Sequence, residues 1–215
     1  MKLKTGIQGF DEFLQGGLPP RVLLLMGPPG SGNEVFARQI AHSRAKEKGV
    51  TYFTVTKSLE SVKNSMAIYR WDVSALEQTG NWRFINLNEA DSLTDAVTKE
   101  MKQSRCLVID SLSELLLNHK VEEITNLLDL TSTQNRECQE LQLVLLTEGM
   151  QDPKVERTMQ HFAEGVIIFT ARWEAEILAR NILIEKMEGS FVPSRRLAYS
   201  IGEKGFNIET AIRIT

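Results

Sequence analysis

Between an apolar run and an amphipathic stretch the chain reads Gly27-Pro28-Pro29-Gly30-Ser31-Gly32-Asn33-Glu34, and no other segment constrains the fold as much. Val22–Met26 before it has the composition of a buried strand, and Glu34–Lys48 after it carries apolar residues at helical spacing. Glycines in such a connection let successive backbone N–H groups point inward as an anion cradle. The start of the helix adds the positive end of its dipole. An ordinary strand-to-helix turn also uses Gly and Pro. The spacing of Gly27, Gly30 and Gly32 in this context nevertheless favours a phosphate-cradling origin, that of a Walker A motif.

The same segment departs from that motif where the chemistry sits. The position of the lysine holds Asn33, and that of the Ser or Thr holds Glu34. A neutral amide does not offset phosphate charge. A carboxylate is worse, since two unit charges about 4 Å apart cost about 4 kcal/mol at an effective dielectric near 20. A magnesium ion between them would reverse the sign, because Glu can ligate it, although Glu is longer than the expected Thr. A structural role is also open to both residues. An acidic side chain in the first helical turn is stabilised by the dipole, and Asn is a good helix-start residue. On that view Glu34 supplies the negative charge that a nucleotide phosphate would bring.

Short apolar runs alternate with amphipathic stretches along the chain, the pattern of a parallel sheet covered by helices. Strands are predicted at Val22–Met26, Val50–Val55, Trp82–Leu87, Cys106–Ile109, Leu143–Leu146 and Val166–Phe169. Helices are predicted at Glu34–Lys48, Glu60–Arg70, Ser92–Gln103 and Val121–Glu140. Toward the end, Ile177–Met187, Leu197–Ile201 and Phe206–Ile208 read as antiparallel strands, the last two joined at Glu203-Lys204-Gly205. The expected organisation is one domain over residues 1–215. Length, 42% hydrophobic and 25% charged content fit a globular chain with a full core, and a net charge of −3 provides no field that attracts a polyanion. Cys106 and Cys138 lack metal-binding spacing and are expected as free thiols. No leader or membrane-spanning run is legible, which suggests a cytoplasmic location.

Several segments, taken in order, resemble the KaiC-like and RadA-like ATPases of the RecA superfamily. They are Thr5-Gly6-Ile7-Gln8-Gly9-Phe10-Asp11-Glu12, Gly16-Gly17-Leu18-Pro19, the loop, Tyr69-Arg70-Trp71-Asp72-Val73 with Phe84-Ile85-Asn86-Leu87, Leu107-Val108-Ile109-Asp110-Ser111-Leu112, and Lys186-Met187-Glu188-Gly189-Ser190. The resemblance covers essentially the whole chain. It implies an α/β fold of the RecA-like P-loop type: a mostly parallel sheet with helices on both faces and antiparallel strands at the C-terminal end. It also implies assembly into rings or filaments with ATP between subunits.

The resemblance assigns positions one at a time. Asp110 is the Walker B aspartate that positions magnesium, and the plain alternative has it capping the helix that starts at Ser111. The catalytic acidic pair falls on Thr56-Lys57, which cannot act as a general base. Glu60 is the nearest substitute and is expected on the solvent face of the next helix. The trans-acting Lys-x-Arg falls on Lys186-Met187-Glu188, so the lysine remains and the arginine is replaced by a carboxylate. The nucleotide-site residues are accordingly Gly27, Pro28, Pro29, Gly30, Ser31, Gly32, Asn33, Glu34, Asp110 and Lys186, with no catalytic residue and no metal ligand set. No cofactor is expected beyond weak ATP and magnesium.

The functional expectation is a degenerate, inactive family member that regulates or adapts through a protein partner or an active paralogue, with self-association open. Phosphate binding without turnover is the alternative. A DNA-recombination accessory role ranks last. The stretch Glu148-Gly149-Met150-Gln151-Asp152-Pro153-Lys154 carries no aromatic residue, and Arg195-Arg196 is the only basic doublet. His42, His119 and His161 are not spaced as metal ligands. Trp173-Glu174-Ala175-Glu176 reads as a hairpin tip that could touch a partner.

Overall fold

The computed structural model describes residues 1–193 and 195–209. Its strands are β1 (Val22–Gly27), β2 (Val50–Thr54), β3 (Trp82–Asn86), β4 (Cys106–Asp110), β5 (Gln142–Thr147), β6 (Gly165–Glu174), β7 (Ile177–Met187), β8 (Leu197–Gly202) and β9 (Gly205–Ile208). They hydrogen-bond in the order β3-β2-β4-β5-β1-β6-β7-β8-β9. The first six are mutually parallel, and β7 to β9 add on antiparallel. The architecture is thus the α/β arrangement expected from the sequence. The central strands β1 and β4 are buried at every position because helices cover both faces.

The helices are α1 (Gln8–Phe13), α2 (Asn33–Ala45), α3 (Leu59–Ala67), α4 (Ser74–Gln78), α5 (Leu93–Met101), α6 (Leu112–Asn118), α7 (Val121–Cys138) and α8 (Pro153–Phe162). Strand alternation divides the core in two. Leu23, Leu25, Tyr52 and Val108 face α1, α2 and α3 through Phe10, Phe36, Ile40 and Met66. Leu24, Phe53, Ile109 and Val144 face α5, α6, α7 and α8 through Val97, Leu115, Leu128 and Met159.

Some boundaries and elements differ from the sequence expectation. The segment after β5 is only a short turn before α8, where Asp152 accepts a hydrogen bond from the Lys154 N–H and Pro153 opens the helix. Ser111, rather than Asp110, caps α6, accepting from the Glu114 N–H at 3.4 Å. The hairpin between β6 and β7 turns at Ala175 and Glu176, and Trp173 is 72% exposed beside it. No helix among the described residues is long and apolar enough to cross a membrane.

The site follows from this topology. After β1 the chain crosses over α2 to β2, leaving β5 and β4 between the two strands. The carboxyl ends of β1, β2 and β4 therefore converge where the connections diverge, which is where open α/β sheets bind ligands.

Candidate functional site

The Gly27–Glu34 loop leaves the end of β1 and enters α2 as the glycine spacing requires. Gly32 is the residue before the helix and has φ of 83°, a conformation that disfavours side chains. A Cβ there would also stand 2.1 Å from Ile201 Cδ1, so β8 packs directly on the loop. The Tyr199 hydroxyl on β8 donates to the Ser31 carbonyl. Burial pushes that hydroxyl above its ordinary pKa; Arg180 works against it, and the Glu34 charge adds a smaller push upward.

Part of the loop's hydrogen-bonding capacity is used internally. The Ser31 N–H donates to the Pro28 carbonyl at 3.1 Å. Asn33 is buried; its Nδ2 donates to the Leu25 carbonyl at 3.1 Å, and its Oδ1 accepts the Glu34 N–H at 3.0 Å. Asn33 therefore occupies the first helical position with its side chain turned back onto β1 rather than capping from outside. Among the described residues, the N–H groups of Gly30, Gly32 and Asn33 have no protein acceptor, and the buried Ser31 Oγ has no partner.

Asp110 ends β4 opposite this loop, and its carboxylate is enclosed. Its Oδ1 accepts from Lys57 Nζ at 3.0 Å, while its Oδ2 accepts from Arg38 Nη2 at 3.1 Å and the Tyr52 hydroxyl at 2.6 Å. Arg38 Nε donates to the Tyr52 oxygen at 3.0 Å, and Nη1 to Ser65 Oγ at 2.9 Å, which fixes the guanidinium. Side chains of Arg38 and Asp110 are 8% and 3% exposed, whereas Lys57 is 40% exposed. The cluster joins β2, β4, α2, α3 and the turn after β2.

Charge states follow from these contacts. Burial opposes ionisation of Asp110, but Lys57, Arg38 and the Tyr52 hydrogen bond more than compensate and hold its carboxyl below the ordinary value. Burial likewise opposes the Arg38 charge, and Tyr52 and Asp110 outweigh it, with Glu34 adding to the same effect. Tyr52 is driven well above its ordinary value by burial and by the Asp110 charge, so it keeps its proton as the donor. Glu34 and Asp110 stand against Arg38 and Lys57, leaving no formal excess.

The remaining sequence-predicted positions fall as follows. Lys57, at the position of the family's acidic pair, is drawn into the Asp110 cluster. Thr56 binds Glu114 instead, with Oγ1 donating to Oε1 at 2.6 Å. Glu60 is exposed on α3 and makes no contact with Asp110. Lys186 lies beside Val166 and hence near the start of β1, not at its loop end. Its Nζ donates to the His161 and Ala163 carbonyls at 3.0 and 2.7 Å and pairs with Glu188 at 3.0 Å. The sequence patterns do not point to Arg38, Tyr52 or Glu114 as site residues. Their only signal is spacing: Arg38 is one helical turn beyond Glu34, and Glu114 stands three residues after the Ser111 cap.

The three histidines stay apart: His42 stacks on Trp71, His119 contacts Glu123 and His161 contacts Phe162. Cys106 is buried and Cys138 half-buried; burial and Glu140 push both thiols up, Cys138 to about 11. Neither is a thiolate at neutral pH.

A glycine-rich loop at the end of β1, an acidic residue at the end of β4 and this strand order define a RecA-superfamily P-loop domain. The family pattern described as "ATPase: KaiC" matches residues 3–212, and the chain belongs to that family. It is 25% identical to a UPF0273 protein of Thermotoga maritima, over 96% of this chain and 95% of that protein. Against the UPF0273 protein PH0284 of Pyrococcus horikoshii the identity is 28%, over 95% and 92% respectively. The circadian clock protein KaiC3 of Synechocystis is 35% identical over 40% of this chain and 17% of its own length. In structure, the KaiC-like protein PH0186 of Pyrococcus horikoshii superposes with a TM-score of 0.81 at 23% identity, covering 98% and 99% of the two chains.

Proposed function

We propose that this chain is a non-hydrolysing member of the KaiC family that acts by binding, as a regulatory or adaptor subunit beside an active relative of the same fold. The observation that carries this reading is the ion pairing of Asp110 with Lys57 and Arg38. The aspartate that would position magnesium is spent on the chain's own cations. Thr56 and Lys57 hold the positions from which the family's acidic pair would take a proton from water, and the neighbouring Glu114 carboxylate is engaged by the Thr56 hydroxyl and N–H. Glu188 replaces the arginine that would stabilise charge on a neighbour's nucleotide. Trp173 and Ile177, 72% and 73% exposed at the hairpin tip, support a role in contacting another subunit.

Incubation with magnesium and ATP tests the first half. Phosphate release should match a protein-free control; steady turnover abolished by Asp110→Ala would sink the reading. Co-elution with an active KaiC-family ATPase, weakened by Trp173→Ala, tests the second half. Failure of both self-association and co-elution counts against the adaptor role.

A second reading keeps the ligand without the reaction. It is favoured by the unpartnered N–H groups of Gly30, Gly32 and Asn33 and by the free Ser31 Oγ. A phosphate ligand at about 100 times its Kd should stabilise the fold by about 2.7 kcal/mol. No shift in Tm at millimolar ATP or phosphate removes it.

A further inference from the structure

The magnesium implied by the fold does not fit the residues at Asp110. Mg²⁺ needs near-octahedral oxygen ligands at about 2.0–2.1 Å and retains several waters. Both Asp110 oxygens already accept hydrogen bonds from cationic nitrogens, and Oδ2 takes the Tyr52 hydroxyl as well. A divalent cation would have to displace Lys57 while still facing Arg38. Arg38 cannot swing away readily, being held by Tyr52 and Ser65 and buried. Glu34, at the loop's usual second ligand position, lies in the field of the same Arg38.

We infer that Lys57 and Arg38 are internal replacements for the divalent cation, so that the Asp110 site is assembled and charge-balanced without metal. Lys57 is the excluding group: it bridges both Asp110 oxygens and approaches from the more open side. Arg38 is the positioning residue that orients the carboxylate toward it. The site's geometry is then independent of whether magnesium or its nucleotide complex is present. This extends the non-hydrolysing reading by naming what took the metal's place.

Manganese, a paramagnetic stand-in for magnesium, provides the test. The full chain is titrated with Mn²⁺ and free ion is followed by electron paramagnetic resonance. The wild type should leave the free signal undiminished, and Lys57→Glu, which adds an oxygen ligand and removes the competing cation, should sequester one ion per chain. Wild-type binding of one ion that is lost in Asp110→Asn would overturn the inference. So would a folded Lys57→Glu chain that leaves Mn²⁺ free. Should Lys57→Glu fail to fold, the uncharged Lys57→Gln takes its place with the same outcomes. Turnover of Mn-ATP is measured on the same samples. Metal bound at Asp110 of the wild type without turnover defeats this inference alone, whereas wild-type metal binding with turnover defeats the non-hydrolysing reading as well.

Discussion

The phosphate loop and the Asp110 cluster end strands separated only by β5, yet they are built in different ways. The loop is a backbone structure: Gly32 has the left-handed conformation, the N–H groups of Gly30, Gly32 and Asn33 lack acceptors, and the side chain of Asn33 folds back onto β1. The cluster is a side-chain structure, with Lys57 and Arg38 closing around Asp110. Backbone geometry and charge chemistry are thus separable. The first is held by glycines and by packing of β8, the second by a few polar residues contributed from distant elements.

The largest effect is expected at Asp110. Removing one partner from a buried charge cluster leaves the others uncompensated, so Asp110→Asn should lower stability by about 3–5 kcal/mol in urea unfolding. A loss below about 1 kcal/mol would mean that the cluster is solvated and does not hold the strand ends.

Gly32→Ala addresses the other region. Its positive φ and the Ile201 side chain both oppose a Cβ, and the expected cost is about 2 kcal/mol. A paired Ile201→Ala substitution should recover only the steric part. Full recovery would show that backbone conformation contributes nothing.

Acid should act on the cluster through Asp110. Asp110 has a folded pKa below its unfolded value of about 3.9, so its contribution is complete above that value and is lost as pH falls through the folded one. Urea midpoints measured below about pH 4 should fall less steeply in Asp110→Asn than in the wild type. Parallel slopes would contradict the assignment.

Lys57→Ala should cost no more than about 1 kcal/mol, because the lysine is partly exposed and solvent screens the pair. The smallest effect concerns His42, whose pKa is lowered by burial and by Lys46. The unfolded chain takes up its proton first, so stability should fall as pH drops below about 6.5. His42→Gln should remove that dependence.

Much of the scaffold was legible because it rests on local patterns. The apolar strands, the glycine spacing and the helical period of α7 are each encoded within short windows. α8 is less legible because the charges of Glu148–Lys154 obscure Asp152-Pro153, which is itself a helix-start signal. The wiring of the site was not legible for a different reason. Arg38 is an unremarkable cation in a helix, Tyr52 a typical strand residue, and Lys57 carried meaning only as a missing carboxylate. Their joint role exists only once β2, β4 and α2 are brought together.

The most direct test is a crystal structure of the chain grown with millimolar magnesium and ADP. Lys57 Nζ should remain within hydrogen-bond distance of both Asp110 oxygens, with the Arg38 and Tyr52 contacts intact. An ion bound to Asp110 with oxygen ligands at about 2.1 Å, and Lys57 turned into solvent, would contradict the replacement of metal by the chain's own cations.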